Sequence, residues 1–170
     1  MEKRNVTVSA IVAAIVLIGD QLSKHWAETW LRTNGEYKIW DGVLHLRYVE
    51  NRGAAFGMMQ GGKWFFLAIT GIACAAMLYF LIKERKRLHF MMTFSLALLL
   101  SGAIGNLIDR VALGYVRDMI YVALIDFAVF NVADMAVTAG CCLLVLDLLF
   151  FKGKKYMEMM DKKPQTGENS

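Results

Sequence analysis

The sequence predicts an all-α integral membrane protein, with four transmembrane helices and a small extracytoplasmic β-sheet. Three observations predict it. Of 170 residues, 57% are hydrophobic and only 20% charged, whereas soluble domains usually hold about 45–50% apolar residues. Residues 64–82 and 88–108 contain no Asp, Glu, Lys or Arg, and each run matches the ~20 residues that carry a helix across ~30 Å of hydrocarbon. The basic residues crowd the ends of such runs. This composition excludes intrinsic disorder, and a single Pro excludes a collagen-like chain. The length disfavours a two-domain soluble enzyme.

The first span is expected over about residues 6–22, behind Lys3 and Arg4. Its run ends in Gly19-Asp20-Gln21 with no small-x-small cleavage site, so it reads as a permanent span rather than a signal peptide. The segment at 25–63 is too long and varied for a bare loop. Within it, residues 43–49 partly alternate, with Leu44, Leu46 and Tyr48 on one face and His45 and Arg47 on the other. That period predicts a strand with one apolar side, ended by the turn signal Asn51-Arg52-Gly53. The β segment is therefore placed at about 35–60, with a second short strand at 115–122. The other spans are expected at about 64–82, 88–108 and 127–151. Trp26, Trp30, Trp40 and Trp64 fit an interfacial aromatic belt at the level of the sheet.

Charge sets the orientation. Lys83, Arg85, Lys86 and Arg87 fill the link between the second and third spans, and Lys152, Lys154 and Lys155 follow the fourth. By the positive-inside tendency these places and Lys3 and Arg4 face the cytoplasm, so both termini lie inside and the sheet outside. Residues 1–155 then form one membrane domain, and 156–170 a polar cytoplasmic tail. The net charge of +4 is accounted for by span ends and contact with anionic membrane lipids, and a nucleic-acid partner is not expected.

Cys74, Cys141 and Cys142 lie in apolar runs without CxxC or His/Cys spacing, which predicts packed thiols and no metal or other cofactor. His25, His45 and His89 are scattered. Gly71, Ala73, Ala75, Gly102 and Ala103 read as helix-packing surfaces.

The informative residues are carboxylates in or beside the spans, since an Asp at mid-helix costs about 2.5–3.5 kcal/mol on insertion scales. Asp20 and Asp109 close spans one and three at their outer ends, Asp118 and Asp126 lie in the outer link, and Asp134 opens span four. Asp147 lies about 20 Å deeper along the last helix, beside the inner Lys cluster, and reads as an interfacial charge. Asn106 and Asp109, and likewise Asn131 and Asp134, are spaced i, i+3, so each pair shares a helical face and an amide can orient its carboxylate. Such a cluster can glue helices together. It can also hold two carboxyls that share a proton, one activating water while the other polarises a carbonyl. A small transporter or binding protein using the same acids is the alternative, disfavoured because the acids gather at one face.

The residues resemble a family at this point. Asp20-Gln21-x-x-Lys24, Asn51-Arg52-Gly53-Ala54-Ala55-Phe56-Gly57, Gly105-Asn106-x-x-Asp109-Arg110, Val116-x-Asp118 and Phe130-Asn131-x-Ala133-Asp134 are similar, in this order, to the motifs of the lipoprotein signal peptidases (signal peptidase II). The resemblance implies an aspartic endopeptidase of the bacterial inner membrane, inhibited by the cyclic peptide globomycin; separately, the chain is expected to act as a monomer. It would cut prolipoproteins just before a diacylglyceryl-modified cysteine. It assigns the catalytic pair to Asp118 and Asp134; the residue types alone do not choose Asp118 over Asp109. Asp20, Asn51, Gly53, Asn106, Asp109, Arg110 and Asn131 become supporting or substrate-contacting positions, with Gly53-Ala54-Ala55 allowing close backbone approach to a clamped substrate. Arg117 and Met119 depart from the family's usual apolar residue and Phe around the first catalytic Asp. Such an Arg either stabilises the ionised acid or points away into headgroups, since adjacent strand residues face opposite sides.

Overall fold

The computed structural model describes residues 2–53, 63–84 and 87–151. The Ala54-Ala55-Phe56-Gly57 stretch, Arg85, Lys86, the Lys152, Lys154 and Lys155 cluster and the tail at 156–170 lie outside the described residues. Helix α1 (Glu2–Trp26) is prolonged by a π-helical turn (Ala27–Leu31) and one further turn to Asn34. Strands β1 (Tyr37–Trp40) and β2 (Leu44–Asn51) follow, then helices α2 (Lys63–Glu84) and α3 (Phe90–Ala112), strand β3 (Val116–Val122), and helix α4 (Val132–Phe150). Among the described residues, four helices are long and apolar enough to cross a membrane. The apolar run that begins at Phe127 starts in non-helical backbone, and the helix itself begins only after Asn131.

The sheet is antiparallel in the order β1-β2-β3. Val49 stands opposite Asp118 and Asn51 opposite Val116, and an irregularity between Leu46 and Val49 shifts the register midway. Gly114, at φ 86°, supplies the left-handed residue that reverses the chain from α3 into β3. Met119 of β3 packs with Leu46 and Tyr48 onto Ala27 and Leu31, so the π-helical turn forms the floor under one sheet face.

Helix α3 is central: it packs most extensively on α4, then on α1, then on α2. Helices α1, α2 and α4 direct residues such as Ile15, Ile18, Ile72, Leu149 and Phe150 outward, toward where lipid lies. Lipid is as apolar as these side chains, so close packing and polar contacts between helices hold the bundle. Gly102 fits this reading, because any side chain there would collide with the Ala133 carbonyl.

Three expectations are corrected. Cys141 and Cys142 are exposed on α4, because an apolar helix at the rim of a bundle turns half its residues to lipid rather than to protein. A Cβ added at Gly71 would meet open space, so no close helix approach requires a glycine there. Asp147 is not an interfacial charge but fully buried, with its Oδ1 2.7 Å from His89 Nε2 at the start of α3. The cluster of Leu88, Met92 and Leu96, with Leu144 and Leu148 against it, closes over that end of the α3–α4 seam.

Candidate active site

Asn131 is the N-cap of α4, and its position explains the Asn-x-x-Asp spacing. Its Oδ1 accepts from the Asp134 backbone N–H at 3.0 Å, and its own backbone N–H donates to Asp134 Oδ2 at 3.2 Å. This capping box satisfies two otherwise orphaned helix-end donors and locks the Asp134 carboxylate. The free amide nitrogen of Asn131 then reaches across to Asp118 Oδ1 at 2.6 Å. Asp118 sits on β3, and its second oxygen accepts from Asn51 Nδ2 of β2 at 3.0 Å. The carbonyl of Asn51 in turn accepts from the Gly53 backbone N–H at 3.0 Å. Asn106 of α3 completes the set: its Nδ2 donates to Asp134 Oδ1 at 2.7 Å.

Burial acts strongly on these acids. Asp118 is essentially shut off from solvent on a strand outside the spans. Burial pushes its pKa up to about 7, and the Asp134 charge adds to the rise against the hydrogen bonds from Asn51 and Asn131.

A second, ionic layer lies beneath, centred on the fully buried Asp20, Lys24 and Asp109. Lys24 of α1 donates to Asn106 Oδ1 at 2.8 Å, pairs with Asp20 at 2.8 Å and stands 3.7 Å from Asp109. Asp20 accepts from the Ala133 backbone N–H at 2.9 Å, a further orphan donor in the first turn of α4. Gly105 makes room for this arrangement, since a Cβ there would fall 2.6 Å from Asp20 Oδ2. Arg117 points away from Asp118, as strand alternation requires, but not into headgroups. It turns inward: its Nη2 and Nε hold the two oxygens of Asp109 at 2.8 and 3.2 Å, and its Nη1 reaches Glu28 at 2.9 Å. The Asp109 carboxylate, with Glu28 behind it, holds the Arg117 guanidinium above its ordinary pKa.

A cavity of about 670 Å³ opens over the carboxylates. Asn51, Gly53, Asn106, Arg110, Asp118 and Asp134 line it, and Phe127, Phe130, Met135 and Val137 are among its apolar walls. Arg110 stands at its rim, 5.2 Å over the Phe66 ring, with Nη2 3.4 Å from the Gly53 carbonyl oxygen. Among the described residues, no group of three or more His, Cys, Asp or Glu side chains has the geometry to hold a metal ion. The arrangement presents two carboxyls, with their orientations fixed by amides, to a half-open cleft that is apolar on one side.

The structure thus brings Asp118, Asp134, Asn51, Gly53, Asn106 and Arg110 to one cavity, with Asn131 buried between the two acids and Asp20 and Asp109 behind them. The matched Asn-x-x-Asp pairs do not both work within their own helix: Asn131 caps with Asp134, but Asn106 serves Asp134 of α4 rather than Asp109. Sequence reasoning missed the ionic roles of Lys24, Arg117 and Glu28, and the neutral amide of Gln21 that donates to Asp20 and accepts from Arg117. Lys24 had a signal, being a Lys one turn after an Asp at the end of an apolar span.

Comparison with known proteins places this geometry. The family model described as signal peptidase (SPase) II matches residues 12–150. The lipoprotein signal peptidase of Streptococcus thermophilus (strain CNRZ 1066) is 46% identical over 83% of this chain and 92% of its own. That of Clostridioides difficile (strain 630) is 43% identical over 85% of this chain and 97% of its own. A bacterial membrane enzyme solved by the in meso method at 2.3 Å resolution superposes with a TM-score of 0.77 at 33% identity, covering 95% of each chain. Similarity this high, sustained over nearly the whole of each relative and over all four membrane helices, makes the chain a member of the signal peptidase II family.

Proposed function

We propose that this chain is a membrane aspartic endopeptidase that removes signal peptides from diacylglyceryl-modified prolipoproteins, cutting just before the lipidated cysteine. One observation carries the reading: Asp118 and Asp134 line the same cavity and are tied together by a single side chain, Asn131. Two carboxyls so joined titrate as a pair, and the first proton lost belongs to the pair. Burial pushes Asp118 up to about 7, and in the reactive form of the pair it is the member that carries the shared proton. It donates a hydrogen bond to the scissile carbonyl oxygen, while the ionised Asp134 takes a proton from the attacking water. The tetrahedral intermediate collapses when Asp134 passes that proton to the cysteine nitrogen, which leaves as the new amino terminus.

Asp20, Asn51, Gly53, Asn106, Asp109, Arg110 and Asn131 support the pair or contact substrate. The apolar walls at Phe127, Phe130 and Met135 suit a ligand whose acyl chains remain in the bilayer. The sheet end lies on the extracytoplasmic side of the bacterial cytoplasmic membrane, with both termini inside. Lys83 and Arg87 at the opposite end of the helices support that orientation. The domain at 1–155 works as a monomer.

The test is incubation of the purified protein in lipid with a diacylglyceryl-modified precursor, beside the same precursor unlipidated. Release of a signal peptide from the lipidated form alone is expected, leaving cysteine at the new amino terminus. Failure to cut the lipidated form would sink the reading.

A further inference from the structure

The apolar cavity is one arm of a longer trough. A groove of about 440 Å³ adjoins it, lined by Arg47, Val49, Glu50, Arg52 and Asp126, and shares Asn51, Gly53, Asp118 and the start of the 127–129 connector with the first cavity. Asp118 stands where the two arms meet, one apolar and running along α4, the other polar and running over the sheet. We propose that the polar groove holds the polypeptide on the mature side of the scissile bond, with Arg47 favouring an acidic residue there. The inference rests on the peptidase reading and adds a subsite and a preference to it.

The charges of the groove carry the argument. Glu50 is already engaged, 3.5 Å from Arg32 and 3.2 Å from Arg52. Asp126 accepts from the Tyr121 hydroxyl at 2.6 Å. Arg47 lies over the ring of the same Tyr121, 3.7 Å from its centroid, and has no carboxylate partner among the described residues. Its Nε is buried with no acceptor. Of the two guanidinium groups in the groove, Arg52 is paired with Glu50, and Arg47, held by ring stacking, is the one whose buried donor is unmet. A desolvated guanidinium N–H is costly to leave unpaired, and a carboxylate matches its planar geometry better than any neutral group.

Position agrees with charge. Val49 faces Asp118 across the β2–β3 ladder, and Arg47 lies two residues further along β2, about 7 Å away in extended chain. A substrate leaving the carboxylates in extended form along β2 brings its second or third residue past the scissile bond level with Arg47. The apolar arm cannot take this stretch without stripping water from its peptide groups, whereas the polar arm can.

The experiment compares kcat/KM for diacylglyceryl precursors that differ only at the second and third residues after the cysteine, carrying Asp, Asn or Lys. With the wild-type protein, Asp precursors should be cut about tenfold better than Lys precursors through a lower KM, and added salt should shrink that gap. In Arg47→Met the ratio should fall toward one, and Arg47→Lys should restore part of it. Equal cleavage of all three precursors by the wild type would overturn the inference without any variant having to fold. An Arg47→Met protein that retains the full Asp-over-Lys ratio would overturn Arg47 as its source. If no lipidated precursor is cut at all, the peptidase reading fails instead.

Discussion

The bundle buries ionisable side chains at both of its ends, and the two ends differ instructively. Near the sheet, Asp118 and Asp134 each receive amide donors from other elements, and Asp20 and Asp109 are matched by Lys24 and Arg117. A cavity opens onto the first pair. At the far end, among the described residues, Asp147 has one side-chain partner, His89, and its buried Oδ2 has none. Leu88, Met92 and Leu96 lie at that seam and no described cavity reaches Asp147. Burial of an acid is common to both places. What distinguishes a candidate for chemistry is a second acid, donors that fix both, and space for a substrate.

Four measurements would break or sharpen that contrast. Asp118→Asn and Asp134→Asn should each lower cleavage of a lipidated precursor by about 10³-fold or more while the protein stays folded and inserted, since each removes one half of the proton exchange. Lys24→Met should act on stability instead. Stripping the cation from buried Asp20 and Asp109 is expected to cost about 3–5 kcal/mol in detergent unfolding, and adding Asp20→Asn should restore part of it because the two sites are coupled. The pH profile comes next. Because the Asp118 pKa is raised from 3.8 to about 7, the protonated form prevails below that point, and kcat/KM should fall as pH rises through about 7. By the same linkage, the stability that Asp118 contributes is complete below about 4 and is lost as pH climbs through about 7. Smallest of all, Asp147→Asn should keep the contact to His89 and change cleavage less than about twofold. Loss of activity there would erase the distinction between the two ends.

Much of the architecture was legible because it follows from short-range pattern. Charge-free runs became helices, alternation at Leu44, Leu46 and Tyr48 became β2, and the spacing of Asn131 and Asp134 became a cap. The ionic layer was not legible, because its contacts join residues far apart in the chain. Gln21 meets Gly105 across 84 positions, Lys24 meets Asn106 across 82, and Arg117 meets Gln21 across 96. No local period records such meetings. Asp147 misled for a related reason: the charged residues nearest it along the chain are the lysines that begin at Lys152, but its structural neighbour is His89, brought by the α3–α4 packing. Asp118 and Asp109 looked alike as residues, and only the strand–helix geometry separates the acid that faces the cavity from the one clasped by Arg117.

The irregular pairing between Leu46 and Val49 has a consequence for error. Arg117 and Asp118 are adjacent on β3 and face opposite ways, so a slip of one position turns each to the other face. One direction of slip would carry Arg117 to the place of Asp118 and bury Asp118 in the apolar site of Met119, beside Ala27 and Leu31. The other would thrust Asp118 among Asp109 and Glu28, repelled by both. Misthreading is thus penalised in either direction, and the neighbours of Arg117 and Met119 proofread the strand.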